Sequence, residues 1–124
     1  MPSVIRPGGE SLQKWEIQLR KGSLELAILA SLWGGRLYGL EILRRLEDGS
    51  GLTVPEGTVY PLLTRLRDDG LVAAEWVEGE AAHPRKYYRL TPKGRRQAQQ
   101  MQRSWSSFAG SLERLLAPLR KEER

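Results

Sequence analysis

Two short groups of side chains in this sequence can do recognition chemistry. In Thr53-Val54-Pro55-Glu56-Gly57-Thr58-Val59-Tyr60-Pro61-Leu62-Leu63-Thr64-Arg65-Leu66-Arg67, the side chains of Thr58, Tyr60, Thr64, Arg65 and Arg67 fall off the apolar stripe. Short hydroxyls and a phenol donate and accept at base edges and phosphates, and the arginine fork reads guanine or clamps the backbone. Further on, Arg85-Lys86-Tyr87-Tyr88-Arg89-Leu90 interleaves cations with aromatics. Arg85, Lys86 and Arg89 there would attract phosphate, with log affinity falling by about 0.9 per neutralised phosphate against log salt. A helix of the first kind followed by a hairpin with a basic returning strand is what a winged helix-turn-helix presents to double-stranded DNA.

The rest of the composition excludes competing chemistry. Cysteine is absent and His83 is the single histidine, which leaves no thiolate or histidine-rich metal site. No phosphate-cradling glycine loop and no acid pair on a shared concave face is legible, so catalysis is not expected and no cofactor is called for. The longest uncharged apolar run, Leu26 to Trp33, is far below the roughly 20 residues of a membrane helix, and no signal-peptide pattern is present. A cytoplasmic protein without membrane contact is the expectation.

The formal charge of +5 becomes informative only when located. From Arg85 to Arg103 there are seven basic residues and no acid, whereas Arg36 to Gly70 holds five basic and six acidic residues. The basic run falls on a strand and a helix start, where it can face phosphate; a solvated face is the plainer alternative. A winged helix used only for protein contact, without DNA binding, would not require this acid-free segment and is the alternative function.

The elements that must position these side chains follow from periodicity. Met1 to Gly9 has none and, with Glu10, reads as a flexible N-terminus over residues 1–10. Leu12, Trp15 and Leu19 recur at helical spacing, after which Ser23 would cap a buried helix over Leu24 to Trp33. Gly34 and Gly35 stop it, and Leu40, Ile42, Leu43 and Leu46 define a second helix ending before Gly49. The third helix opens with Thr53 to Glu56 at capping-box spacing, buries Val59, Leu62, Leu63 and Leu66 at i, i+3, i+4 and i+7, and closes at Gly70. Pro61 falls near its start, where a proline is tolerated or kinks the helix. Val72 to Val77 and Arg85 to Leu90 make a two-stranded wing joined by Glu78 to Pro84, with Tyr88 and Leu90 on one face and Arg85, Tyr87 and Arg89 on the other.

Thr91-Pro92 begins the last helix. Its apolar residues Ala98, Met101, Trp105, Phe108, Leu112 and Leu115 alternate spacings of three and four, a seam that calls for a partner helix. Pro118 would end it. The fold class is therefore mainly α with a small β-hairpin: a winged helix-turn-helix domain over residues 11–91, a dimerisation helix over 92–117 and a charged tail over 118–124.

Gly22-Ser23-Leu24-Glu25-Leu26, Tyr38-Gly39, Gly57-Thr58-Val59-Tyr60-Pro61-Leu62-Leu63 with Arg65-Leu66, and Arg85-Lys86-Tyr87-Tyr88-Arg89-Leu90-Thr91 leading to Lys93-Gly94 together resemble the PadR family of bacterial transcriptional regulators. The single short C-terminal helix resembles its compact branch. The wing tip Glu78-Gly79-Glu80-Ala81-Ala82-His83 departs from the family pattern, being more acidic and poorer in glycine and arginine. The resemblance implies a homodimer whose C-terminal helices pack across the two-fold axis, with one recognition helix per subunit offered to successive major grooves of a pseudo-palindromic operator. It further implies a repressor released by a small aromatic or hydrophobic effector, for which Trp105, with Trp15 contributing, would line a pocket between subunits. Plainer roles stand beside these: Tyr60 as a half-buried tyrosine capping the core, Arg65 in an ion pair with Asp68 or Asp69, Trp105 as one more seam residue, and Trp15 packed on the last helix.

Overall fold

The computed structural model describes residues 7–50, 54–79 and 83–122. The elements follow in the order α1 (Pro7–Ser31), β1 (Leu37–Tyr38), α2 (Gly39–Ser50), α3 (Glu56–Asp68), β2 (Val72–Val77), β3 (Arg85–Leu90) and α4 (Pro92–Glu122). The core gathers one apolar face from each element: Leu24, Ile28, Leu29 and Leu32 of α1 and its end, Ile42, Leu43 and Leu46 of α2, Val59, Leu63 and Leu66 of α3, and Val72, Tyr88 and Leu90 of the sheet. The third-helix stripe is as the spacing predicts, with Leu62 packed at its margin. In α2, Leu40 is exposed and Ile42 takes the buried place.

Several boundaries differ from those expected. Ser23 does not cap a helix. It lies within one continuous α1, its hydroxyl donating to the Leu19 and Arg20 carbonyls (3.1 and 3.3 Å) in the local back-bonding open to a mid-helix serine. That helix already contains Pro7 to Glu10, part of the stretch expected to be flexible, while residues 1–6 lie outside the described residues. Helix α2 runs on through Gly49 to Ser50. Helix α3 is capped by Pro55 in an extended conformation without any side-chain cap bond, and Thr53, the expected capping residue, lies outside the described residues.

The end of α3 follows a Schellman pattern. The Leu71 amide donates to the Leu66 carbonyl and the Gly70 amide to that of Arg67, both at 2.9 Å, with Gly70 at φ 78°. A side chain at that φ would be strained, so glycine is needed there. Thr91 then caps α4: the Gly94 amide donates to its Oγ1 (2.9 Å), and Oγ1 donates to the Gly70 carbonyl (2.7 Å). The Lys93 ammonium reaches the Asp69 carbonyl at 2.9 Å, placing a cation at the negative end of α3. A β-carbon at Gly94 would overlap the Leu71 carbonyl, so the first turn of α4 lies directly on the turn that closes α3.

The wing is a three-stranded antiparallel sheet in the order β1-β3-β2 and not a bare hairpin. Leu37 pairs with Tyr88 and Tyr38 with Tyr87 on one edge of β3; Val72 to Val77 pair with Leu90 to Arg85 on the other. A two-residue strand is too short to announce itself by alternation. Helix α4 also continues through Pro118, where the chain was expected to leave it. Pro118 is exposed, the lost amide interrupts a long established helix, and Arg120 forms an ion pair with Glu113 across it.

Candidate nucleic-acid interface

On α3 the buried Val59, Leu63 and Leu66 set the outward direction. The residues spaced i, i+4 and i+7 on the opposite side are Gly57, Pro61 and Thr64, all exposed. Thr64 therefore stands at the centre of the free face, its hydroxyl donating back to the Tyr60 carbonyl at 3.2 Å. Thr58 and Arg65 occupy the flank toward α1, where Arg65 Nη2 lies 2.8 Å from Glu25 Oε2. This ion pair replaces the expected partners Asp68 and Asp69. Arg67 is the residue beside Asp68, at 3.5 Å.

Tyr60 occupies the other flank. Its ring and hydroxyl lie against the backbone of Gly39 so closely that a β-carbon there would overlap them. The tyrosine thus seats the start of α2 against α3 while leaving part of its ring in solvent. Burial pushes its phenol above the ordinary value near 10, and the Glu56 carboxylate adds to the rise. Tyr88 is raised first by burial, then by the neighbouring Tyr60, against the lowering effect of Arg67. At neutral pH both phenols are therefore hydroxyl donors and acceptors, the form that suits phosphates and base edges.

The basic strand is divided by its register. Arg85, Tyr87 and Arg89 point to the outer face of the sheet, while Lys86 shares the inner face with Tyr88 and Leu90. Arg85 lies opposite Val77 at the tip end of the hairpin, and Arg89 lies opposite Ala73 at its base, four residues or about 13 Å away along the strand. The Lys86 ammonium stands 5.8 Å from the ring centroids of both Trp76 and Tyr88. Trp76, which the sequence reading left without a role, is 69% exposed on that inner face. The tip residues Glu80, Ala81 and Ala82 lie outside the described residues, so the acidic tip has no structural account.

The seam residues of α4 divide in two. Ala98 is buried within the protomer's own core and Met101 packs against it, so Ala98 has no surface to give to a second chain as expected. Packing of the first turns of α4 on α1 and the sheet accounts for the change. Trp105, Phe108, Leu112 and Leu115 remain exposed, and with Leu119 they continue one stripe along the distal half of α4. Trp105 and Phe108 lie with ring centroids 6.4 Å apart and line a groove of about 250 Å³ against Gly22, Ser23 and Leu26 of α1. Trp15 does not line that groove and is exposed with Leu12 and Leu19 on α1.

Arg36 and Tyr38 take contacts that the sequence assigned to neither, and Lys93, read only as part of the basic run and of the family motif, meets the Asp69 carbonyl. Thr91 carries a readable signal, a threonine followed by Pro92 at the start of a helix whose first turn holds no acid. The roles of Arg36 and Tyr38 depend on cross-strand register. Among the described residues no helix is long and apolar enough to cross a membrane.

The arrangement recurs in known proteins. Transcriptional regulator Rv3488 of Mycobacterium tuberculosis is 35% identical over 80 residues, 63% of this chain and 71% of that protein. The crystal structure of a PadR family transcriptional regulator from Eggerthella lenta superposes with a TM-score of 0.79 at 32% identity, covering 87% of this chain and 94% of that one. Bacillus subtilis PadR, solved in complex with operator DNA, superposes with a TM-score of 0.59 at 26% identity over 63% of this chain and 44% of that one. The model of the transcriptional regulator PadR-like family matches residues 28–100, from the last turn of α1 through the sheet to the early turns of α4. With helix, wing and connecting corner all inside that match, the chain belongs to the PadR-like family of transcriptional regulators, which are not enzymes.

Proposed function

We propose that the protein is a homodimeric repressor that sets α3 of each protomer into successive major grooves of a pseudo-palindromic operator. The observation that carries this reading is the free face of α3, with Thr64 at its centre and Thr58, Tyr60 and Arg65 on its flanks, beside the basic strand β3. Operator DNA in the Bacillus subtilis relative supports double-stranded DNA as the partner. Lys86 and Arg85, on opposite faces at the tip end of the wing, then flank the backbone, while Arg89 adds charge near the sheet base.

Pairing is supported by the distal α4 stripe, where Leu115 is 76% and Phe108 61% exposed. An isologous contact through this stripe doubles the DNA contacts and spaces the half-sites about one helical turn, 34 Å, apart. Trp105 in the α1–α4 groove supports an aromatic or hydrophobic effector, whose rings would stack on the indole and alter the angle between paired helices. Trp15 would contribute only from a partner protomer, since it stands off the groove of its own.

The testing experiment is enrichment of random duplexes by the purified protein. A symmetric motif with half-sites one turn apart is the expected result. Failure to enrich any motif at moderate salt would overturn the reading and favour a winged helix that contacts protein alone.

A further inference from the structure

Four side chains on the outer face of the sheet form a continuous cation–aromatic array. The Arg36 guanidinium lies 4.7 Å from the Tyr87 ring centroid, Tyr87 meets Tyr38 edge to face at 5.6 Å, and the Arg85 guanidinium lies 4.4 Å from the Tyr38 centroid. Cross-strand register builds the array. Tyr38 is directly opposite Tyr87, which puts Arg85, two residues earlier on β3, on the diagonal from Tyr38. The two-residue strand β1 is what brings that ring beneath the arginine.

The two arginines differ in what else they meet. Arg36 is 3.1 Å from Glu75 on the same face, so its charge is compensated. Arg85 has no carboxylate within ion-pair distance among the described residues, and its side chain is exposed. The Tyr38 ring therefore restricts Arg85 without neutralising it. A stacked guanidinium keeps its in-plane N–H donors, which suit a phosphate, and it surrenders less freedom on binding than an arginine free in solvent. Tyr38 is itself fixed, its amide donating to Glu41 Oε1 at 3.1 Å at the start of α2.

We propose that Tyr38 is a positioning residue for Arg85, holding its guanidinium ready for a DNA backbone phosphate beside the wing. The inference rests on the DNA-binding reading above and adds a division of labour within it. Arg85 supplies the charge, Tyr38 supplies the orientation, and the Arg36–Tyr87 half of the array keeps Tyr38 upright.

The test is a double-mutant cycle on the full chain, read by fluorescence anisotropy against a duplex selected by the wild-type protein and against a mixed-sequence duplex. Arg85→Ala should weaken both and reduce the magnitude of the log–log salt slope by about 0.9, one phosphate. Tyr38→Ala should weaken both by about two- to fivefold, the range of an exposed cation–π contact. Tyr38→Phe, which keeps the ring, should bind like wild type. In the Arg85→Ala background, Tyr38→Ala should cost nothing further. If Tyr38→Ala melts at assay temperature, Tyr38→Leu, apolar but without a π face, carries the same comparison.

Equal losses from Tyr38→Ala with and without Arg85, or no rescue by phenylalanine, would overturn the positioning role while leaving the parent reading intact. Wild-type affinity in Arg85→Ala would overturn both the positioning role and the assignment of Arg85 to phosphate. A wild-type protein that binds neither duplex would refute the parent reading itself.

Discussion

Arg65 of α3 and Glu25 of α1 form an ion pair at 2.8 Å that ties the flank of the proposed reading helix to the long first helix. The arginine side chain is 60% exposed, so the pair contributes at most about 1 kcal/mol to stability. Its larger consequence is directional, since the carboxylate holds the guanidinium on the α1 side of α3 and adds a negative charge beside the face offered to DNA. Glu25→Gln should leave the melting temperature nearly unchanged while raising affinity for every duplex at low salt. Anisotropy titrations at several salt concentrations check this, and unchanged affinity would remove Arg65 from the interface.

The cations of α3 and β3 should separate by phenotype. Arg85→Ala combined with Arg89→Ala should weaken all duplexes similarly and flatten the salt dependence, because phosphate contacts carry no sequence information. Arg65→Ala should also change the enriched motif, by about 1–3 kcal/mol at one position if it reads guanine. Identical gel-shift titrations for both variants and wild type would contradict the assignment.

Gly94 has no room for a methyl group, because the Leu71 carbonyl occupies that space. Gly94→Ala should lower stability by about 1–3 kcal/mol, since the obstruction is backbone and cannot swing aside. Gly39→Ala meets the far end of the Tyr60 side chain instead, which can move. It should melt closer to wild type yet bind DNA more weakly, with the Tyr60 ring displaced. Circular dichroism melts beside binding titrations distinguish the two.

Alkaline pH should destabilise the fold through Tyr60 and Tyr88. Both phenols are raised in the folded state, chiefly by burial, so their contribution is complete below the unfolded value near 10 and is lost as pH rises through the folded values. The melting temperature should hold to about pH 10 and fall above it, and Tyr88→Phe should flatten that fall. A fall of equal steepness in the variant would place the alkaline transition elsewhere.

Leu115→Glu places a charge in the most exposed part of the α4 stripe. In the proposed dimer two such charges face a desolvated seam, so sedimentation should shift from dimer to monomer and operator affinity should fall with it. The protomer's own melting should change little if measured where the wild type is also monomeric. A wild-type chain that sediments only as a monomer at micromolar concentration would count against pairing through α4.

Legibility in the sequence tracked the length scale of the signal. The stripe Val59, Leu63 and Leu66 and the alternation in β3 are repeated local patterns, and both elements lie where they were expected. Ser23 and Pro118 misled because each is a strong local punctuation mark inside a long helix. Burial of Leu24, Ile28, Leu29 and Leu32 overrides the first, and the second stands near the end of a helix already established from Pro92 onward. Ala98 misled because a heptad spacing does not say which partner a seam meets, the protomer's own α1 or another chain's α4. The Glu25–Arg65 pair joins residues 40 positions apart and the Tyr38–Arg85 stack residues still farther apart, and no spacing rule reaches that far.

The Thr91 hydroxyl accepts from one long element and donates to the end of another, with Gly94 closed against the Leu71 carbonyl beside it. In the dimer proposed above, a torque applied far out on the final rod would pass through these bonds to the groove-seeking rod.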